Sequence, residues 1–243
     1  MVIAPQETSG TILAGPRARG GHAVWAGSSG GVEVRFVGRG ALGSRGSREE
    51  VLSRIEPLAP DPPPLAWARQ VHSADVLRAA AGECGEGDAL WTGEGGLALS
   101  IATADCVPVL LAGPEGLAAV HAGWRGMASG VIPRTVETIA RQLGADPARW
   151  SAWIGPSIGA CCYEVGEDVA ARVAAASAPE VAVPGPAGKP HLDLAAAALA
   201  QLRAAGVGSV VRVAACTRCD EATLWSYRRE GRGAGRNLAF IWR

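Results

Sequence analysis

The sequence predicts an α+β fold: a layered sandwich of mixed β-sheets and helices, forming a single compact domain over residues 1–243. Three apolar runs follow one another closely, Leu97 to Ala102, Val107 to Ala112 and Leu117 to Val120, each bounded by Gly, Pro or Asp as buried strands are. After them, Val131 to Leu143 sets Ile132, Val136, Ile139 and Leu143 on one helical face, with Pro133 tolerated in the first turn and Gly144 just past the end. A chain of 243 residues lies near the upper end of a single domain.

Taken in order, Val32 to Val37 alternates as a strand does. Ser47 to Ile55 reads as a short helix, capped by Ser47 with Glu50 completing a capping box. The Pro-rich run Asp61 to Pro64 reads as a surface loop rather than a linker, because the strand-like segment Leu65 to Arg78 needs sheet partners. Ala152 to Ile154 is a strand. Helices are expected at Glu167 to Ala176 and Leu194 to Ala205, separated by a Pro/Gly-rich loop, Pro179 to Pro190. Strands at Val210 to Ala214 and Leu238 to Trp242 complete the chain, and no internal repeat is present.

Composition excludes several classes of function. Hydrophobic residues are 48% of the chain, enough for a core, and 33 Gly with 16 Pro imply many loops without disorder. Net charge is +0, with 23 basic and 23 acidic residues, so no long-range field draws the chain to nucleic acid or an anionic membrane. Lys189 is the only lysine. The N-terminal residues do not read as a secretory signal, and the longest apolar tract, Leu97 to Val120, is interrupted by Asp105, Pro108, Pro114 and Glu115. Six cysteines without a secretory signal suggest reduced thiols or metal ligands in a cytoplasmic protein.

Only four histidines exist. His72 follows a strand, His121 ends the apolar run Leu117 to Val120, and Cys106 opens another. Two imidazoles and a thiolate make a three-ligand zinc set with a fourth position open for water or substrate. From spacing alone, packing roles for a lone His and a lone Cys remain favoured. The turn Gly123-Trp124-Arg125-Gly126 leads toward a helix and offers amides and a guanidinium to an anion; a tight turn with Arg125 paired to a carboxylate is the competing reading. Cys161 and Cys162 are adjacent, so their side chains are expected to diverge and pack. Cys216 and Cys219 form a lone C-x-x-C lacking a second ligand pair, with His191 the nearest unassigned histidine. Trp124 sits beside the candidate site and could stack on a base; the polar cluster Ser226-Tyr227-Arg228-Arg229 could contact ribose or phosphate, although a solvated turn is the favoured reading.

Five segments, taken together, carry a resemblance. They are Gln70-Val71-His72-Ser73-Ala74-Asp75, Thr103-Ala104-Asp105-Cys106-Val107-Pro108, Ala119-Val120-His121-Ala122-Gly123-Trp124-Arg125-Gly126, Ile154-Gly155-Pro156 through Cys161-Cys162-Tyr163-Glu164-Val165-Gly166, and Cys216-Thr217-Arg218-Cys219 through Ser226-Tyr227-Arg228-Arg229 to Gly235-Arg236. Over about residues 65–243 the chain resembles the bacterial laccase-domain family, also called polyphenol oxidase or peptidoglycan editing factor, whose members are described as purine nucleoside phosphorylases. The resemblance implies that zinc is held by His72, Cys106 and His121, with Arg125 at the active-site turn. It also implies phosphorolysis of adenosine, inosine, guanosine and methylthioadenosine, together with adenosine deamination. In place of the family's Gly-Gly-Val-Ser start, Gly30-Gly31-Val32-Glu33 leads into a shortened stretch, which bears on substrate range.

The expected catalytic residues are Arg125, Asp105 and Glu164. Arg125 would hold phosphate near the anomeric carbon, Asp105 or Glu164 would shuttle a proton, and zinc would activate water for attack at purine C6. Trp124, Gly126, Tyr163 and Arg228 are the expected substrate contacts. The expected partners are purine nucleosides and phosphate, not nucleic acid or membrane, and the expected assembly is a monomer or small homo-oligomer. Three alternatives compete: a copper-dependent polyphenol oxidase, for which four histidines and the methionines Met1 and Met127 are too few; a Cys106 hydrolase editing peptidoglycan precursors; and a zinc-stabilised interaction protein.

Overall fold

The structure, a computed structural model, describes residues 14–40, 47–56 and 63–243. Its strands are β1 (Ala14–Arg19), β2 (His22–Ser29), β3 (Val32–Gly40), β4 (Leu65–Arg69), β5 (Val76–Arg78), β6 (Gly82–Glu86), β7 (Ala89–Thr92) and β8 (Ala98–Thr103). They continue as β9 (Val107–Gly113), β10 (Gly116–Ala122), β11 (Ser151–Ile154), β12 (Ala182–Pro184), β13 (Pro190–Leu192), β14 (Ser209–Arg212) and β15 (Asn237–Trp242). The helices are α1 (Arg48–Ile55), α2 (Trp124–Ala128), α3 (Val131–Leu143), α4 (Glu167–Ala175), α5 (Leu194–Ala204) and α6 (Tyr227–Glu230).

Seven strands form one sheet, in the order β1-β2-β3-β15-β8-β4-β6, and six form a second, β14-β11-β9-β10-β7-β5. Both sheets are mixed, with β4 parallel to β8 and β6, β5 parallel to β7, and β11 parallel to β14. Side-chain alternation explains why β9 and β10 read as unbroken apolar runs. Val107, Val109, Leu111, Ala118 and Val120 face a cluster shared with Ile132, Val136 and Ile139 of α3 and Ala198 and Leu202 of α5. Leu110, Leu117 and Ala119 face the opposite way and meet Phe36, Leu99 and Ile101 of the first sheet. A strand buried on both faces has no solvent side to mark with polar residues. On the outer face of the first sheet, Val51, Leu52 and Ile55 of α1 pack with Val24, Val37 and Phe240. The layers are therefore helix, sheet, sheet and helices: the α+β sandwich that the sequence predicts.

Local signals account for the ends of the elements. The α1 capping box forms as expected, with Glu50 N donating to Ser47 Oγ at 3.2 Å and Ser47 N to Glu50 Oε2 at 2.8 Å; such a cap is worth about 1 kcal/mol. Helix α3 occupies its predicted span and ends on Gly144 at φ 62°.

Three expectations change. Leu65 to Arg78 is two strands rather than one: β4 lies in the first sheet and β5 in the second, and residues 70–75 cross between them. The loop Pro179 to Pro190 contains a short 3₁₀ turn and the two-stranded ribbon of β12 and β13. The first sheet gains β1 and β2, joined at Gly20-Gly21 and leading into β3 at Gly30-Gly31, where both glycines of each pair have φ between 53° and 80°; Gly-Gly tolerates such primed turns. Of the predicted Asp61 to Pro64 loop, Asp61 and Pro62 lie outside the described residues. Among the described residues, no helix is long and apolar enough to cross a membrane.

Candidate metal centre and substrate cleft

Two chain crossings between the sheets carry the candidate ligands. The β4–β5 crossing bears His72, and the β8–β9 crossing bears Asp105 and Cys106. His121 stands in β10, where the antiparallel register sets it opposite Pro108 and sets Ala122 opposite Val107. That register brings the end of β10 beside Cys106. One donor atom each from His72, Cys106 and His121 falls within 4.8 Å of the others. Cys106 Sγ is 3.8 Å from His72 Nε2, and the two imidazoles meet edge to face with centroids 4.9 Å apart. The turn after β10 leaves no room for a side chain at Gly123, where a Cβ would lie 2.8 Å from His72 Cδ2 and 3.0 Å from Cys106 Sγ.

Both crossings are strained. His72 at φ 61° and Asp105 at φ 92° are the two non-glycine residues with positive φ among the described residues, each conformation costing on the order of 1–3 kcal/mol. Hydrogen bonds offset the strain. Asp105 accepts from Thr217 Oγ1 and from the Arg228 amide, both at 2.6 Å, and its carbonyl accepts from Ile158 N at 2.9 Å. The His72 crossing is held by Asp88, a buried residue that sequence reasoning missed. Its carboxylate accepts from the successive amides of Val71, His72 and Ser73 at 3.1, 3.0 and 2.6 Å, and from His121 Nδ1 at 2.6 Å. The available signal was slight: a lone Asp between Gly87 and the apolar β7.

These contacts set the charge state of the site. Burial works to raise the Asp88 carboxyl, but the His121 bond and the Ser73 and Val71 amides hold it below its ordinary value. Burial likewise opposes a Cys106 thiolate, yet hydrogen bonds from His121 and His72 bring the thiol down from 9.0 to about 6. His121 moves the other way, to about 9, because Asp88 and Cys106 outweigh the effect of burial. With Nδ1 committed to Asp88, His121 keeps Nε2 for the cluster, the arrangement by which an outer carboxylate orients a metal-binding imidazole. Two imidazole nitrogens and a thiolate beside an open cleft fit a zinc ion.

The cleft has a volume of ≈ 680 Å³, within the range of small-molecule sites. Of the predicted residues, His72, Asp105, Cys106, His121, Trp124, Arg125, Tyr163 and Arg228 line it. Gly126 does not: it is buried, and a Cβ there would lie 3.0 Å from Ser73 O. Glu164 is also outside the lining, with its carboxylate 3.2 Å from Lys189 Nζ. Tyr227, from the polar cluster noted in the sequence, lines it too, and Arg48, Arg69, Arg236, Glu83 and Trp67 join the wall, which had not been foreseen. Helix α2 is one turn long, so the Arg125 guanidinium is the main anion-attracting group at that turn. It lies over the Trp124 ring at 4.5 Å, and Arg172 approaches the same ring at 5.6 Å. Arg228 donates to Glu164 O at 3.1 Å and sits 5.1 Å from the Tyr163 ring. Burial, reinforced by the Cys106 charge, pushes the Tyr163 hydroxyl up to about 12, so it remains a donor at neutral pH.

Residues 44–243 match the family described as multi-copper polyphenol oxidoreductase laccase. The chain belongs to this laccase-domain family. A protein named purine nucleoside phosphorylase from Streptomyces coelicolor is 44% identical over 191 residues, covering 76% of this chain and 77% of that one. One named adenosine deaminase, from an unknown prokaryotic organism, is 42% identical over 163 residues, covering 64% and 62%. The crystal structure of YlmD from Geobacillus stearothermophilus superposes with a TM-score of 0.77 at 30% identity, covering 98% of both chains. The family match begins at residue 44, and the superposition on YlmD shows that the two chains share a fold. The two remaining histidines of this laccase-domain chain lie outside the cleft lining: His22 is buried in β2, and His191 Nδ1 is 2.5 Å from Ala160 O.

A further expectation is corrected. The sulfurs of Cys161 and Cys162 do not diverge into separate packing roles; they meet those of Cys216 and Cys219.

Proposed function

We propose that the chain is a zinc-dependent purine nucleoside phosphorylase acting on adenosine, inosine, guanosine and methylthioadenosine, with adenosine deamination as an additional activity and a cytoplasmic place of work. The observation that carries this reading is the convergence of His72, Cys106 and His121 on one wall of a nucleoside-sized cleft that also presents Arg125, Arg228 and Tyr163. The names of the relatives support the reaction class.

In this reading Arg125 binds phosphate, since it lines the cleft and a guanidinium fork matches phosphate oxygens. Tyr163, protonated at working pH, donates to the nucleoside. Arg228 offers a second cation, held in place by Tyr163 and the Glu164 carbonyl. Asp105 is a positioning residue, because both carboxylate oxygens are engaged in tying the β8–β9 crossing to Thr217 and Arg228. His72, Cys106 and His121 would hold a zinc ion, which would supply Lewis-acid polarisation. The protein's own groups align phosphate with the anomeric carbon, which is where proximity lowers the barrier most.

Incubating zinc-loaded protein with inosine and phosphate should release hypoxanthine and ribose 1-phosphate; no release from metal-replete protein would sink the assignment.

The Cys106 thiolate beside a protonated His121 favours a second reading, a thiol hydrolase. Such an enzyme survives a strong chelator and dies on alkylation, whereas the zinc enzyme loses activity to the chelator and recovers with zinc. Copper oxidase chemistry is disfavoured, since the cleft offers two of the chain's four histidines, too few for a multicopper centre.

A further inference from the structure

Cys161, Cys162, Cys216 and Cys219 come from two loops far apart in sequence, yet their four sulfurs all lie within 4.8 Å of one another. Cys219 Sγ is 3.3 Å from Cys162 Sγ and 3.7 Å from Cys161 Sγ. A tetrahedron of thiolates around zinc, with Zn–S near 2.3 Å, has sulfur–sulfur edges of about 3.8 Å. Core packing does not explain the cluster, because Cys161 and Cys219 are exposed.

The backbone explains how adjacent cysteines come to point the same way. Residues 160–162 form a tight turn closed by Cys162 N and Tyr163 N on Gly159 O, at 2.9 and 3.1 Å. Gly159 itself donates to Cys216 Sγ at 3.3 Å, and a Cβ at that position would lie 3.3 Å from Cys161 Sγ. His191 Nδ1, 2.5 Å from Ala160 O, buttresses this turn rather than entering the cluster. On the other loop, Cys216-Thr217-Arg218-Cys219 curls so that Asp220 N reaches Cys216 O at 3.0 Å, while Arg229 donates to the carbonyls of Thr217 and Arg218 at 2.7 and 2.9 Å. The amide of Thr217 bonds to Ser157 O at 3.1 Å, joining the two loops.

We propose that Cys161, Cys162, Cys216 and Cys219 form a second, purely structural zinc site with four thiolate ligands, distinct from the His72–Cys106–His121 centre. Four protein ligands close the coordination sphere, so the site has no open position for catalysis. Its task is mechanical: one loop carries Tyr163 and the other leads to Arg228, both on the cleft wall. The ion clamps together the two segments that frame the substrate, and does so whether or not the proposed phosphorolysis is correct.

Elemental analysis of protein purified under reductant, together with zinc-edge X-ray absorption, tests the proposal. Wild type should carry two zinc ions per chain. The double variant Cys161→Ser, Cys219→Ser should carry one. Cys106→Ser should also carry one, with an absorption spectrum fitted by four sulfur neighbours at about 2.3 Å and no nitrogen. If the double variant does not fold, cobalt substitution of Cys106→Ser is the second measurement, since one cobalt ion with intense thiolate charge-transfer bands and tetrahedral absorption reads out the same shell. A wild-type ratio of one that falls to zero in Cys106→Ser would overturn the second site, as would a disulfide among the four cysteines in reduced protein, or copper or iron in their place. A wild-type ratio of one that persists in Cys106→Ser would support the four-thiolate site and overturn the His72–Cys106–His121 centre instead.

Discussion

Asp88 joins His121 through a 2.6 Å hydrogen bond to Nδ1, and the same carboxylate gathers the three amides leading through His72. One buried side chain thus fixes two of the three candidate ligands. It sets the tautomer and direction of one imidazole and holds the strained backbone beneath the other.

Replacing Asp88 separates these tasks from bulk stability. Asp88→Ala leaves three amides and an imidazole without their acceptor, and the fold should lose about 3–5 kcal/mol in urea titration. Asp88→Asn preserves volume but turns a donor toward donors, and zinc affinity, measured by competition with a chromophoric chelator, should fall roughly 10–100-fold. Unchanged affinity in Asp88→Asn would remove this carboxylate from the account.

Gly123 tests the cluster by shape alone. Its φ of −76° and ψ of 172° suit any residue, so Gly123→Ala carries no backbone penalty, yet the new methyl group would press on His72 and Cys106. Zinc affinity should fall at least about tenfold, while the melting temperature of the metal-free protein moves by only a few degrees. Equal losses in both measurements would point to a packing role for Gly123.

The charge state of the metal-free centre predicts a pH profile. Cys106 becomes a thiolate above about 6 and His121 keeps its proton to about 9, so between those values the pair is thiolate and imidazolium. Its lowered thiol pKa contributes stability that is lost as pH falls through about 6; the raised His121 pKa contributes stability lost as pH rises through about 9. Alkylation of Cys106 in chelator-treated protein, followed by peptide mass spectrometry, should reach half its plateau rate near pH 6, and zinc should abolish it. A midpoint near the ordinary value of 9.0 would contradict the pairing.

Arg125 distinguishes phosphate binding from the remaining chemistry. Arg125→Ala should raise the KM for phosphate by roughly 10–100-fold, the worth of a charge-assisted bond. Adenosine deamination, which needs no phosphate, should change much less. A parallel fall in both activities would mean that Arg125 supports the cleft in general.

The two-sheet core was legible because β9 and β10 are buried on both faces and therefore appear as uninterrupted apolar runs. The candidate metal ligands were named through the family resemblance: four histidines in the chain made each position noticeable, but spacing alone favoured packing roles for them. Asp88 stayed hidden because a single buried carboxylate has no periodicity and acquires its meaning only when the β4–β5 crossing folds over it. The edge strand β1, largely exposed, carries no alternating pattern to reveal it. The cysteine cluster was missed because ligand-spacing rules assume paired knuckles, whereas here a turn at Gly159 lets two consecutive sulfurs point the same way. Glu164 was assigned to the cleft from its motif, but it is outside the cleft lining and its carboxylate pairs with Lys189.

Crystals of zinc-loaded protein, with diffraction data collected on both sides of the zinc absorption edge, test the central claim most directly. The account predicts an anomalous peak bonded to His72 Nε2, His121 Nε2 and Cys106 Sγ, with no fourth protein ligand and the remaining position facing the cleft. A peak absent from that place, or an ion there enclosed by a fourth protein ligand, would contradict it.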